Sequence, residues 1–305
     1  MRYLVPEEFV HSNEALARSW TQADARDYTR WLATYHYENF HVVSFLLPKH
    51  LHQDFYNVYS FCRWADDLGD EIAYKAEALR LLEWWSKLLD EMYAGTAWHP
   101  VFIALRPTVD RYGIPKQLFT DLIRAFIQDQ TVSRYQTWDD LYGYCRYSAN
   151  PVGRLVLYLC GYTDPERQRL SDFTSTALQL ANFWQDVSVD LRKDRVYLPL
   201  RVLHRHGCTV EDLFAHRETD AFRAAMRDAV ICAREMFESG LPLIGMVDRR
   251  LSIDLDLFSR GGMRVLDKIE ACNYNVLRAR PSIGKIERVG LLLSSVARAV
   301  FGRAA

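Results

Sequence analysis

Two acidic stretches limit what this chain can fold into. Residues 59–71 read YSFCRWADDLGDE, and about 120 residues further on residues 182–190 read NFWQDVSVD. Each holds two carboxylates four residues apart, Asp66 with Asp70 and Asp186 with Asp190, a spacing that sets side chains on one face of a helix. Like charges so placed cost an isolated helix about 0.2–0.5 kcal/mol, and more where water is excluded, so the pattern asks for a counter-charge. Magnesium suits it, because the ion takes oxygen ligands, keeps several waters and is usually held by one or two carboxylates with substrate phosphates. Manganese is the alternative ion.

The rest of the chain can supply a large core, since 49% of its 305 residues are hydrophobic and 25% charged. Length alone suggests two domains, yet no Pro/Gly/Ser-rich linker or abrupt change of composition divides it, so residues 1–305 read as a single domain. A formal net charge of −1, with no basic stripe carrying interleaved aromatics, argues against nucleic acid as a partner. Cys62, Cys145, Cys160, Cys208, Cys232 and Cys272 form no CxxC pair, which fits buried reduced thiols rather than a disulfide frame or a zinc site. The N-terminus, MRYLVPEEFVHSNE, has neither the apolar run nor the cleavage site of a signal peptide, and a cytoplasmic protein is expected. No segment reaches the roughly 20 apolar residues of a membrane-spanning helix. Residues 289–300, VGLLLSSVARAV, are apolar enough to touch a bilayer surface, although a helix docked on the core is the plainer expectation.

Helical spacing runs nearly throughout. Ser12 is placed to cap a helix reaching about Tyr35, with Leu16, Trp20, Tyr28, Trp31 and Leu32 apolar. After a loop, Pro48 suits the first turn of a helix that carries Phe55, Tyr59, Cys62 and Asp66 along one side and ends near Gly69. Helices are expected at about 74–94, 99–112 and 116–135. Thr137, ahead of Asp139 and Asp140, caps another running to Cys160, and Pro165 opens a long one reaching Asp190. Past an extended RVYLP, helices follow at about 209–216, 220–238, 253–279 and 284–301. No run of strands alternates. The expected class is all-α, a helical bundle in which a ligand site is built from side chains on facing helices.

In the second stretch Ala181, Phe183, Trp184, Val187 and Val189 surround the polar positions with apolar bulk. Carboxylates against such a wall are costly unless paired or metal-bound, and Asn182, Asp186 and Asp190, at i, i+4 and i+8, are spaced to hold one magnesium ion together. RWADDLGDE and ANFWQDVSVD, with YCRYSANPVG between them and RVYLP just after, resemble the aspartate-rich motifs and flanks of the squalene and phytoene synthase family. The resemblance runs from about Glu38 to Arg280, with the motifs in the family's order. It implies one all-helical isoprenoid-synthase domain with a central cavity, in which Asp66 and Asp70 on one side, and Asn182, Asp186 and Asp190 on the other, hold magnesium ions that grip a prenyl diphosphate. Tyr59 and Arg63 match further functional positions, and Tyr144 and Tyr147 fall in the family's central tyrosine motif.

That chemistry has identifiable needs. Departure of diphosphate leaves a carbocation, and the step requires negative charge stabilised at the leaving oxygens by metal and by cationic side chains. Arg63, Arg195 and Arg280 are the candidates for that role. The cation also needs a dry aromatic cavity, where ring faces contribute about 0.5–2 kcal/mol each and exclusion of water limits early quenching. Phe40, Phe183 and Tyr274, with Asn150 as a polar member, are candidate cavity residues.

Family members usually carry arginine just before the first aspartate of the second motif; here that position is Gln185. Together with NFHV at residues 39–42 and LLPKHLHQDFYNVYSFCRWADD, this looks like the bacterial hydroxysqualene synthases of hopanoid biosynthesis. Such an enzyme takes presqualene diphosphate, ionises it, rearranges the cyclopropane and quenches the cation with water, with no need of NADPH. Gln185, Asn150 or a tyrosine hydroxyl from Tyr59, Tyr144 or Tyr147 are the candidates to hold that water. Three alternatives stay open: a sister enzyme condensing two prenyl diphosphates, an inactive assembly or binding protein on the same fold, and a histidine metal site at His50 with His52 or His204 with His206. Histidines two apart on a helix point to different faces, which counts against the last.

Overall fold

The computed structural model describes residues 3–35, 47–278 and 280–301, all of whose regular elements are helices. Phe40 and the 39–42 segment singled out from the sequence lie outside the described residues. Two compact units emerge, Met1–Thr131 with Arg154–Thr163, and Val132–Gly153 with Asp164–Ala305.

The first unit comprises α1 (Pro6–Val10), α2 (Asn13–Ala17), α3 (Gln22–Tyr35), α4 (His52–Asp70), α5 (Lys75–Ala94), α6 (Pro100–Tyr112) and α7 (Lys116–Asp129). Its core is aromatic. Trp64 and Trp85 stack with centroids 4.9 Å apart, and Phe61, Phe102 and Phe119 close around them. Buried polar anchors set the rotation of α4. Asn57 donates to the Ala104 carbonyl at 2.9 Å and to Thr108 Oγ1 at 3.0 Å, and accepts from Thr29 Oγ1 at 2.8 Å. Asp54 accepts from Thr108, Arg111 and Tyr112. With those faces turned inward, a single stripe of α4 reaches the surface, including Tyr56, Tyr59, Arg63, Asp66 and Asp70, at the three- and four-residue spacing of one helical face.

The second unit contains α8 (Trp138–Ser148), α10 (Pro165–Gln185), α11 (Val187–Asp190), α12 (Leu200–Arg205), α13 (Val210–Phe214), α14 (Asp220–Gly240), α15 (Arg249–Ala271) and α16 (Lys285–Phe301). The intervening helix α9 (Asn150–Leu159) gives its first four residues to this unit and the rest to the other. Leu180, Ala181 and Trp184 of α10 are buried, as are Phe222, Met226, Ala229 and Ala233 of α14, and α10 packs on both α14 and α15. Gly262 lets α15 close on α14: a Cβ there would stand 2.2 Å from the Phe237 ring. After the second acidic stretch, extended backbone pairs with the segment before α8. Val196 N–H donates to the Ser133 carbonyl and Leu200 N–H to that of Tyr135, both at 2.9 Å.

Several helices differ from expectation for local reasons. The one expected from Ser12 to Tyr35 breaks after Ala17, because Thr21 Oγ1 accepts from Asp24 N–H at 3.1 Å and starts α3 afresh. Pro48 caps a short 3-10 helix, Lys49–Leu51, ahead of α4. The run from Thr137 to Cys160 splits at Ala149, two residues before Pro151, which has no N–H to donate to the carbonyl four residues back and whose ring crowds it. α7 stops six residues early, with the Gln130 side chain donating to the Gly69 carbonyl at 2.9 Å. α15 starts earlier, capped by Asp248, and ends earlier, where Asn273 and Tyr274 turn left-handed. α1, α12 and the 3-10 helix Leu241–Met246 had no sequence expectation. All six cysteines are free thiols. Among the described residues no helix is long and apolar enough to cross a membrane.

His99 ties pH to stability. It caps α6 by accepting the Val101 N–H on Nδ1 at 3.3 Å, so that nitrogen carries no proton, and its ring is buried at 4.5 Å from Trp64 and 5.0 Å from Trp85. Burial holds its pKa well below the usual imidazole value. The unfolded chain therefore takes up a proton near pH 6.5 that the folded chain refuses. The His99 contribution is whole above that pH and is lost as pH falls below it, at up to ~1.4 kcal/mol per pH unit. In urea unfolding between pH 7.5 and 5, the stability of wild type minus that of His99→Asn, which keeps a capping oxygen, is expected to fall with this slope below about pH 6.5, a difference that cancels the opposing carboxylate titrations common to both; a constant difference would contradict it.

Candidate active site

The first motif lies on the exposed stripe of α4. Arg63 bridges two carboxylates, with NH1 3.3 Å from Asp66 Oδ2 and NH2 2.5 Å from Asp67 Oδ1. The Asp67 side chain is 5% exposed and that of Asp66 46%, and Asp70 is exposed. Burial pushes the Asp67 carboxyl up to about 7 against the pull of Arg63, with Asp66 pushing it further. Tyr59, one turn before Arg63, is half-buried, and burial raises its hydroxyl pKa. The structure thus joins Tyr59, Arg63, Asp66 and Asp70 on one helix face and adds Asp67, which the sequence reading left out. The signal was present: Asp67 is four residues after Arg63, the distance of a helical ion pair.

In the second motif Asn182, Asp186 and Asp190 follow one another up α10 and α11. Asp186 ends α10 with φ −102° and ψ 12°, yet its N–H donates to the Asn182 carbonyl and the Asp190 N–H to its own, both at 2.9 Å, so the helical path carries through. Asn182 is exposed and the two aspartates are partly exposed, while Phe183, Trp184, Gln185 and Val187 are buried. Asp190 is pushed up to about 7 by burial and then by Asp186, with Arg195, Lys193 and Arg280 opposing. Arg280 grips both Asp186 oxygens: Nε donates to Oδ1, and NH2 to Oδ2 at 3.1 Å. Gln185 is no surface glutamine. Its Nε2 donates to the Pro281 carbonyl, and its Oε1 accepts from Arg280 NH2 at 3.4 Å.

Aromatic residues pack beneath this motif. Phe183 and Tyr197 stack with centroids 3.6 Å apart, and Tyr144 joins them at 6.2 Å from each. Tyr144 is buried in that cluster, whereas Tyr147 remains partly exposed on α8. Asn150 accepts from Thr176 Oγ1 at 2.9 Å and so ties α9 to α10. Gly153 permits that approach, since a Cβ there would come within 2.5 Å of Ser171 and Ser175 Oγ. Tyr274, expected in the cavity, is partly exposed and sets its ring 5.5 Å from the Arg227 guanidinium. Of the histidine pairs, His52 bonds the Leu47 carbonyl and His206 the Asp228 carboxylate. Among the described residues no three of His, Cys, Asp and Glu are grouped to hold a metal ion.

Residues 33–287 match the family model for squalene/phytoene synthase. The chain belongs to this family. It is 32% identical over 279 residues to the hydroxysqualene synthase of Rhodopseudomonas palustris, across 88% of this chain and 93% of that protein. It is 29% identical over 311 residues to the chloroplastic phytoene synthase 2 of Oryza sativa subsp. japonica, across 96% and 78%. The solved structure of squalene synthase HpnC from Alicyclobacillus acidocaldarius superposes with a TM-score of 0.80 at 43% identity, covering 83% of this chain and 96% of that one, and the all-α isoprenoid-synthase fold is common to both.

The donors of this family member fit magnesium by their chemistry. They are oxygens carried in pairs by one helix, and the Asp67 and Asp190 carboxyls are raised by burial first and by a neighbouring aspartate, against the pull of nearby cations. An ion that takes one or two carboxylates and draws the rest of its shell from water and phosphate suits such a set.

The division of labour around Arg63 can be measured. Arg63→Gln leaves the buried Asp67 without its ion pair and is expected to cost about 1–3 kcal/mol, whereas Asp66→Asn, at a half-exposed carboxylate, should stay within about 0.5 kcal/mol. Equal losses in chemical denaturation would contradict the pairing of Arg63 with Asp67.

Proposed function

We propose that this chain converts presqualene diphosphate and water to hydroxysqualene and diphosphate. The observation that carries this reading is Gln185, a buried neutral amide where the family usually sets an arginine. Condensing enzymes gather two diphosphates and need positive charge for both. Presqualene diphosphate brings one, so a site lacking one guanidinium suits it better. The similarity to the Rhodopseudomonas palustris hydroxysqualene synthase supports the same branch.

In this reading Asp66 and Asp70 of the first motif, and Asn182, Asp186 and Asp190 of the second, are the groups that hold magnesium. Bound magnesium supplies Lewis-acid charge to the diphosphate oxygens. Arg63 at the first motif, and Arg280 with Arg195 beside Asp190 at the second, are the cationic groups to orient diphosphate and take up the negative charge that grows as the carbon–oxygen bond breaks with its electron pair. Tyr144 and Phe183 turn ring faces to the cation that remains. Water then adds its oxygen to the rearranged cation and gives up a proton, with a hydroxyl of Tyr59 or Tyr147 positioning it. Because the last bond is to water, no nicotinamide is required. A C30 substrate resides in lipid, and the exposed Val289 and Leu293 of α16 suit a passing contact with a bilayer surface.

Purified protein incubated with presqualene diphosphate and magnesium, without NADPH, is expected to yield hydroxysqualene as the main neutral lipid. Asp186→Asn should lower the rate by about 10²–10³, the usual effect of removing one electrostatic contact to a transition state. The similarity to phytoene synthase favours one competing activity. Consumption of farnesyl or geranylgeranyl diphosphate in place of presqualene diphosphate would move the chain to that condensing branch.

A further inference from the structure

Residues 272–278 and 280–284, between α15 and α16, form a strap whose Arg280 and Pro281 meet the second motif. Val276 and Leu277 are buried, the Leu277 carbonyl accepts from His216 Nδ1 at 2.9 Å, and Arg278 pairs with Glu218 at 2.8 Å. At its far end the Gly284 N–H donates to Glu287 Oε2, where α16 begins. Between these anchors lie Arg280 and Pro281.

Gln185, 8% exposed, commits both ends of its amide to this strap, donating to the Pro281 carbonyl and accepting from Arg280 NH2. Few side chains could do both. Arginine has no acceptor and would place a second guanidinium beside the first, and an ionised glutamate has no donor for the carbonyl. The guanidinium so held covers both oxygens of Asp186, the same atoms a divalent cation would need.

With the second motif taken as a metal and diphosphate site, as proposed above, we propose that Gln185 is a positioning residue for Arg280, and that Arg280 is the counter-charge Asp186 gives up when a divalent cation arrives. In the cation-free chain the guanidinium neutralises the carboxylate and competes with metal for it. Once the carboxylate is taken, the same guanidinium, still tethered through Pro281 to Gln185, is released beside the site as a partner for the incoming anion. Arg280 thus opposes the cation and assists the anion, and a neutral amide at residue 185 keeps it placed for both.

The test follows Mn2+ binding to the full chain by electron paramagnetic resonance without substrate, then calorimetric binding of inorganic diphosphate to the Mn2+-loaded protein. Arg280→Gln should bind Mn2+ about two- to fivefold tighter, the worth of a partly exposed ion pair, while losing about tenfold or more in diphosphate affinity. A merely structural role would not move the two in opposite directions. Gln185→Ala should shift Mn2+ affinity the same way by a smaller factor, speed deuterium exchange at the Leu277, Arg278 and Arg280 amides, and have no further effect on Mn2+ once Arg280→Gln is present. Unchanged or weaker Mn2+ binding in Arg280→Gln would overturn the proposal, as would a Gln185→Ala effect that persists in full in the double variant. Asp186→Asn separates this idea from the reading beneath it. With Asp66→Asn and Asp70→Asn present in every protein compared, so that the first motif holds no ion, equal Mn2+ binding with and without Asp186→Asn, or none at all, removes the metal reading of the second motif and the proposal together. Loss of binding in Asp186→Asn without tightening in Arg280→Gln removes the proposal alone.

Discussion

Carboxylates withdrawn from water need positive charge brought to them, and both acidic motifs are built around that need. On α4 the charge is local, since Arg63 reaches Asp66 and Asp67 from three and four residues away on the same helix. At the second motif it is remote: Arg280 lies 94 residues beyond Asp186 and arrives only because the strap is folded back. Asp67 and Asp190 show how incomplete the compensation is, both being pushed up to about 7 by burial. Holding such carboxylates out of water with partial compensation costs the chain stability.

Packing decides which carboxylates stay buried and which reach solvent. Asn57 and Asp54 satisfy their hydrogen bonds within the first unit, and in doing so they set the angle at which α4 lies. Asp67 then falls inside and Asp66 and Asp70 outside. In the second unit, small residues do comparable work. Gly240 of α14 admits Thr174 and Gly153 of α9 admits two serine hydroxyls, so α10 is held from more than one side while its acidic end stays partly open.

Much of this was legible along the chain. The helical class, the spacing of both motifs, the cap at Thr137 and the helix opened by Pro165 all depend on contacts within about four residues; the break ahead of Pro151 is local too, but the apolar spacing through it hid it. The restart of α3 at Thr21 was legible too, as a threonine followed three residues later by an aspartate, but an unbroken apolar pattern from Leu16 to Leu32 masked it. The early end of α7 was not legible, because Gln130 bonds a carbonyl 61 residues away. For the same reason the partners of Gln185, singled out for standing where arginine is usual, were not legible, since Pro281 lies 96 residues further on.

Sequence alone determined the all-α class, the two carboxylate pairs and their helical faces, and the family to which the chain belongs, because these rest on repeats and motifs that local geometry obeys. Tertiary structure alone decided that Asp67 is the buried carboxylate of its motif, that Asn150 spends its oxygen on Thr176, that Tyr274 turns to Arg227, and that Asp186 is covered by Arg280. Each of those outcomes depends on which distant group reaches a polar atom first when water leaves, and spacing along one helix carries no information about that.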